Sequence, residues 1–538
     1  VQGNRRREVH FPLVRANEMT TERRRSGSDE EGGAVTKEHK MGVISCSSYV
    51  IGNIIGSGIF ITAGDVAKQT NSVGLTLVIW AVCAAISFLG AIVYVELATS
   101  IPDPGADYAY AMRVGWKAIA FAFMLVSVCI TFPASAAVQS ITFGQYMEKF
   151  ISVLLPSSYS DDSALSSQWL IIVLALLLLV SLTFLNFFSL DKFASTFQNV
   201  VSVCKMLSVA AIIGIGFYFL IWKDETENFI NPFAGSNWDI GRMTMAVYGG
   251  LWSYAGWDIL NYGTPEIKNP RSTMPLSLFF GLGIVASAYI LINVSFFTVM
   301  TLEDVQNSTA IGDEFARLTL GSGFANVIPA MIAVLVMGTL NSNIFCGSRI
   351  MHAAAREGQL PSFLSGINVA SGSPRPAVLF QGIFSAILCF VNIETLVNSV
   401  TFVMWAQKVF TAAALLFIRY KNVPVESNAI KVPIILVWLL LFVSVALVTI
   451  PFIEDTTITL IGCGVIAIAL GIYFVAIKFG ICGYGGFYDK ICEVVNLVVK
   501  RVLCVELDVK TVSTPDERTE LNVLTLPNLK DDASITSL

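Results

Sequence analysis

Hydrophobic residues in this 538-residue chain fall into long uninterrupted runs, unlike the alternation of a strand or the one-sided stripe of a surface helix. Between residues 41 and 480 the runs recur, most of them about 20 residues long, the length a helix needs to cross a bilayer. Residues 75–98, 170–188, 274–300, 434–450 and 458–479 are the clearest. Polar breaks divide the pattern into twelve predicted spans: 42–69, 74–100, 114–150, 168–188, 192–222, 240–264, 274–300, 324–355, 376–392, 395–418, 432–451 and 456–479. The expected class is therefore an all-α membrane protein, and an even number of spans places both chain ends on one side of the bilayer.

Composition agrees with this pattern and charge orients it. The chain is 54% hydrophobic and only 14% charged, where a soluble domain would carry charge on roughly a quarter of its positions. With the N-terminus inside, inner loops hold Arg113, Lys117, Lys192, Lys268, Arg271, Arg349, Arg356 and Arg375, whereas outer loops hold Asp161, Asp162, Asp224, Glu225, Glu303 and Asp304. A basic bias on one side marks that side as cytoplasmic. The expected location is the plasma membrane with both termini cytoplasmic. The net charge of −5 points to no nucleic-acid partner.

Residues 1–40 carry two arginine triplets and a Gly/Ser/acidic stretch without apolar period, and read as a disordered cytoplasmic segment. No cleavable signal peptide is expected, since the first apolar run follows about forty polar residues. The predicted membrane domain spans 41–480. Residues 481–538 form a cytoplasmic tail, in which 489–508 reads as a helix lying on the membrane surface. Asn307-Ser308-Thr309 is a glycosylation sequon in an outer loop, while Asn293-Val294-Ser295 falls inside a span. All ten cysteines lie in spans or on the inner side, where disulfides do not form; Cys482, Cys492 and Cys504, next to the membrane, suit either palmitoylation or free thiols. The terminal Thr536 and Leu538 have the spacing of a PDZ ligand, which adds a strand to a sheet edge.

Two spans contain residues that a helix interior avoids. The first carries Gly52, Gly56, Ser57 and Gly58, so its backbone is expected to unwind there and free its amides and carbonyls for a ligand. Amides at the start of the outer half-helix would hold a carboxylate. The alternative is close helix packing through the Gly52-x-x-x-Gly56 pair. The sixth span reads Tyr248-Gly249-Gly250-Leu251-Trp252-Ser253-Tyr254-Ala255-Gly256-Trp257-Asp258, a second interruption five spans later. Paired interruptions in two halves point to a midplane site in an inverted-repeat transporter, with repeats at about 42–222 and 240–418. Trp252, Tyr254 and Trp257 either wall a pocket or pack in the core. Lys205 stands inside the fifth span, where a charge needs a partner or cavity. Its ammonium would hold carbonyls of the unwound first span. Glu96 lies near an inner end, where a solvated or paired structural role is expected, and Trp405 in the tenth span is a pocket or a core residue. No metal or cofactor is expected, because His10, His39 and His352 have no ligand spacing and no nucleophile–base set is visible; the chain does not read as an enzyme.

The run Val50–Phe60 resembles the first-helix signature of the L-type amino acid transporters, light chains of heteromeric transporters in the amino acid–polyamine–organocation superfamily. Residues 105–110, 254–257, 266–270 and 355–361 resemble the same family, in order across about 40–480. The resemblance implies a LeuT-like 5+5 inverted repeat with broken helices 1 and 6 and sodium-independent exchange of amino acids. By analogy the substrate carboxylate meets the amides of Ser57 and Gly58, beside Gly56, and its ammonium meets carbonyls of Ile54, Trp252 and Ala255. Trp252 takes the place of the aromatic outer gate, Lys205 matches the fifth-helix lysine, and Trp405 a side-chain pocket residue. Asp258 occurs in relatives of different selectivity and leaves the side chain open. Neutral, large or aromatic, amino acids are the expected substrates; a facilitator, a cationic/neutral exchanger and a non-transporting sensor are the alternatives. One departure stands out: the loop 148–168 lacks the cysteine through which family light chains bond a heavy chain, which argues against a disulfide-linked partner.

Overall fold

A computed structural model describes residues 41–508, apart from 103–104, 155–163, 188–192, 263, 265–266, 325–326, 370, 455 and 479–486. The segment 1–40, Cys482, and the tail residues Thr536 and Leu538 lie outside the described residues.

The chain is helical nearly throughout. In order it forms α1 (Val43–Ile54), α2 (Gly58–Thr70), α3 (Val73–Ser100), α4 (Asp107–Arg113), α5 (Lys117–Val126), α6 (Phe132–Leu154), α7 (Ala164–Leu185), α8 (Phe193–Trp222), α9 (Ile240–Ser253) and α10 (Pro270–Val299). There follow α11 (Leu302–Asn307), α12 (Ile311–Phe324), α13 (Val327–Arg356), α14 (Arg375–Leu388), α15 (Ile393–Lys421), α16 (Ile434–Thr449), α17 (Pro451–Glu454), α18 (Thr456–Ile472) and α19 (Phe487–Leu503). Local chemistry sets several starts. Ser72 accepts the Leu75 amide ahead of α3, Asp239 accepts that of Arg242 ahead of α9, and Asn392 accepts that of Glu394 ahead of α15. Pro270 opens α10, where its missing N–H costs nothing.

Among the described residues eight helices are long and apolar enough to cross a membrane, and nine if the bent pair α1–α2 is one span. The expected spans at 240–264, 376–392 and 456–479 are helical but shorter: α9 stops at Ser253, α14 has 14 residues, and α18 has 17 before a π-helical turn Tyr473–Lys478. Fourteen residues rise only about 21 Å, short of a hydrocarbon core of about 30 Å. The third expected span is one apolar stretch, α5 and α6 joined through a π-helical turn Ser127–Thr131.

Large apolar side chains cover the outside. On α7, Leu177, Val180 and Phe184 are exposed, and on α16 Trp438, Leu439, Phe442 and Val445. So much exposed apolar surface is the signature of a protein whose solvent is lipid. Inside, α1, α2, α3, α9 and α10 supply much of the main core, with the rings of Trp80, Tyr254 and Tyr289 packed tilted or edge-on at separations of 5.0–6.1 Å.

The tail helix α19 covers part of the surface-helix reading 489–508, and it docks. Glu506–Leu507 pairs antiparallel with Gly366–Ile367, and the Arg375 guanidinium donates to the Leu503 carbonyl at 2.8 Å. Asn368 donates to the Cys504 carbonyl at 2.6 Å, and Asp508 lies 3.2 Å from Arg356. Asn307, at the end of α11, is exposed, whereas Asn293 is buried and donates to the Tyr289 carbonyl.

Candidate functional site

The first span breaks where its glycines cluster. Ile55 turns extended (φ −68°, ψ 99°), α2 restarts at Gly58, and the two axes are bent by 53°. In an unbroken helix the Gly52 carbonyl would receive the amide four residues on. Here the Lys205 ammonium, from α8, donates to it at 3.0 Å. Lys205 is 2% exposed, so the charge is held inside the bundle by this contact rather than by water. The Ile54 carbonyl receives the Tyr289 hydroxyl at 2.9 Å. On the other side of the break, the Phe60 and Ile61 amides both return to the Ser57 carbonyl. The Gly58 and Ile59 amides stand at the positive end of α2, where a helix has no internal acceptors.

The second break lies against the first. After Ser253 the chain turns through Tyr254–Gly256 and continues as a 3₁₀ turn, Trp257–Asn261. Gly256 has φ 101°, a backbone that side chains resist, and a Cβ there would meet Asn53 Nδ2 at 2.3 Å. That amide donates to the Gly256 carbonyl at 3.0 Å, tying one break to the other across 203 residues of sequence. Tyr289 lies between them: its hydroxyl is 2.9 Å from the Ile54 carbonyl and 3.0 Å from that of Ser253. Having one proton, it donates to one of the two at a time. The start of α2 packs directly on the end of α9. A Cβ on Gly58 would meet Ser253 Cα at 2.8 Å, and the Thr62 and Ser253 hydroxyls are 2.7 Å apart.

Residues singled out from the sequence thus separate into two groups. Ile54, Gly56, Ser57 and Gly58 are buried at the first break, with Lys205 beside it, and Ala255 belongs to the second. Trp252, half-buried, packs against a buried cluster that includes Val397 and Val400. Trp405 lies in the main core, while Tyr254 and Trp257 are core residues in this conformation, Trp257 packed edge-on against Tyr94 at 5.0 Å. Glu96 is paired rather than solvated: Arg419 holds both its oxygens, and the Val432 amide donates to it at 2.9 Å.

Beside the second break Asp258 belongs to a cluster of buried charge whose lysine, Lys408, escaped the sequence reading. The Lys408 ammonium, on α15, lies 2.6 Å from Asp258 and 3.5 Å from Asp107. It also lies 4.4 Å from the Tyr94 ring centre and 5.0 Å from that of Trp257. Asp107 is closed off, accepting from Tyr94 at 2.5 Å, Thr411 at 2.8 Å and Gln407 at 2.8 Å. Lys408 stands mid-span, and the argument that drew attention to Lys205 applies to it equally. Among the described residues no group of three His, Cys, Asp or Glu is placed to hold a metal ion.

A bundle of lipid-facing helices around a doubly broken backbone defines a multi-pass membrane protein with an internal polar site. The profile of the amino acid permease family matches residues 41–477. Among curated proteins the chain is similar to amino acid transporter protein 6 of Caenorhabditis elegans, 40% identical over 441 residues, 82% of this chain and 83% of that one. It is similar to the human b(0,+)-type amino acid transporter 1, 33% identical over 461 residues, 85% of this chain and 92% of that one. The human cystine/glutamate transporter is 33% identical over 434 residues, 80% of this chain and 83% of its own length. This chain belongs to the amino acid permease family, within its L-type amino acid transporter branch, and is a transporter-family protein rather than an enzyme.

Proposed function

We propose that this protein is a sodium-independent exchanger of neutral, large or aromatic, amino acids that works by alternating access in the plasma membrane. The observation that carries the reading is the adjacency of the two breaks, joined by Asn53 and Tyr289. An amino acid headgroup needs donors for its carboxylate and acceptors for its ammonium within a few ångströms of each other. Amides of Ser57 and Gly58, beside Gly56, supply the first. Carbonyls of Ile54, Trp252 and Ala255 supply the second, a carbonyl having a second lone pair even where the Tyr289 hydroxyl uses one, as at Ile54, or the Ala255 amide does, as at Trp252. Trp252 acts as the outer gate, and Trp405 and Asp258 face the side chain. Lys205 brings a fixed positive charge to the Gly52 carbonyl, which removes the need for a sodium ion to hold the unwound backbone.

Twelve spans, ten of them in two inverted five-span repeats at 42–222 and 240–418 and two following, accommodate these contacts. Rocking one repeat element against the rest opens the site to alternate sides. Basic inner loops put both termini in the cytoplasm, Asn307 on the outer face as a glycosylation site, and Thr536 and Leu538 within reach of a PDZ protein. Some relatives are named as subunits, for example the large neutral amino acids transporter small subunit 2 of Mus musculus, 31% identical over 456 residues. Without a cysteine in 148–168 this chain works alone or with a non-covalent partner.

Radiolabelled leucine flux in cells expressing the chain alone tests the reading. Sodium replacement is expected to leave uptake unchanged, and unlabelled amino acid on the opposite side to accelerate efflux severalfold. Flux without such acceleration would make the protein a facilitator, and no flux from a surface-labelled chain would favour a sensor or a required partner.

A further inference from the structure

We propose that Lys408 is a fixed counter-ion that holds Asp258 neutralised and thereby closes the side-chain end of the site to cationic amino acids. The inference rests on the exchange reading above and adds a residue that determines its selectivity. Lys408 lies three positions after Trp405 on α15 and so projects from the same helix face, one turn further along. Asp258 lies two positions after Gly256, on the short 3₁₀ turn that follows the second break. The two side chains meet at 2.6 Å, at the junction between the backbone that would read the headgroup and the helix that would read the side chain.

The accessibility of the three charges is unequal. Side-chain exposure is 13% for Asp258, 7% for Lys408 and 2% for Asp107. Asp107 is enclosed by Tyr94, Thr411 and Gln407, so it anchors Lys408 and has no oxygen left for a ligand. Among the described residues only Oδ2 of the Asp258 carboxylate has a hydrogen-bond partner, which leaves Oδ1, on the most exposed of the three side chains, for a bound molecule. Alone in a low-dielectric pocket, that carboxylate would attract an ammonium or guanidinium strongly. Paired at hydrogen-bond distance with Lys408, it presents little net charge, and an incoming cation also meets the lysine's like charge. Tyr94 and Trp257 flank the ammonium with ring faces, which keeps Lys408 in place through cation–π attraction. Rejection of a competitor by a built-in repulsive group is a common route to specificity.

Competition against labelled leucine uptake by norleucine and by lysine, which is norleucine with a terminal ammonium, tests the assignment in cells expressing the full chain. The wild type is expected to be inhibited by norleucine and to require about a hundredfold more lysine. Lys408→Met, which leaves Asp258 unpaired, is expected to raise lysine potency relative to norleucine by about tenfold or more. Asp258→Asn with Lys408→Met, which removes both charges, is expected to restore rejection of lysine. A purely structural strut would change surface expression or the rate without reordering the two competitors. Wild-type protein inhibited equally by both, or an unchanged ratio in Lys408→Met, overturns the proposal. If Lys408→Met fails to reach the surface, Lys408→Gln provides the same comparison, and the wild-type ratio decides independently of either variant. Absence of any leucine flux would instead sink the exchange reading itself.

Discussion

Gly58→Val is expected to lower amino acid flux by about a hundredfold or more per molecule at the cell surface. The first added carbon would lie 2.8 Å from Ser253 Cα and 3.2 Å from Ser253 Cβ, and a backbone contact cannot yield as a flexible side chain does. The start of α2 must therefore move off the end of α9, and the donors of one break separate from the acceptors of the other. A misplacement of about 1 Å in a pre-organised site costs on the order of a hundredfold in function. Gly52→Ala is the control within the same motif, since a Cβ there meets nothing within 4 Å and the carbonyl that Lys205 holds is retained. It is expected to keep most of the flux. Uptake normalised to surface biotinylation measures both, and equal losses in the two variants would mean that glycine flexibility along the span, rather than the contact with α9, is what matters.

Lys205→Met is the second large effect, an expected loss of ten- to a hundredfold. Methionine fills similar volume but cannot donate, so the Gly52 carbonyl is left buried without a partner, at a cost of about 1–3 kcal/mol. The broken conformation then competes less well with one in which α1 continues by a further turn and recovers that bond internally. Lys205→Arg is expected to restore only part of the activity, because a planar guanidinium does not fit a site shaped for one ammonium at 3.0 Å from its acceptor. Uptake at several leucine concentrations would locate the loss in maximal rate. Flux equal to wild type in Lys205→Met would remove Lys205 from the account.

Much of this arrangement was legible from the sequence, because lipid imposes simple rules. Apolar runs mark spans wherever a helix faces hydrocarbon, and glycine clusters at 52–58 and 249–256 mark the places where the helix is costly to continue. The charge of Lys205 inside a span signalled a buried partner, and the backbone carbonyl of Gly52 is that partner. What stayed hidden depends on long-range pairing. Asn53 with Gly256 and Tyr289 with Ile54 are separated by 203 and 235 residues, and neither asparagine nor tyrosine is unusual in a span. Lys408 was detectable by the rule that found Lys205, yet its pairing with Asp258 and Asp107 depends on how α15 packs against two distant segments. Span lengths were also misjudged at 376–392, where Phe390 and Val391 extend the apolar run beyond Leu388, the last residue of α14.

On the proposed function, backbone groups at the two breaks read an amino acid headgroup. Thermal stabilisation of the purified, detergent-solubilised chain by leucine, leucinamide and N-acetyl-leucine tests it most directly. The amide removes the carboxylate that the α2 amides would hold, and the acetyl group removes the ammonium that the carbonyls of Ile54 and Trp252 would accept. Leucine is predicted to raise the melting temperature in a saturable manner, and both blocked forms to leave it unchanged at the same concentrations. Equal stabilisation by all three would contradict the account, since the protein would then recognise the side chain and leave the headgroup unread.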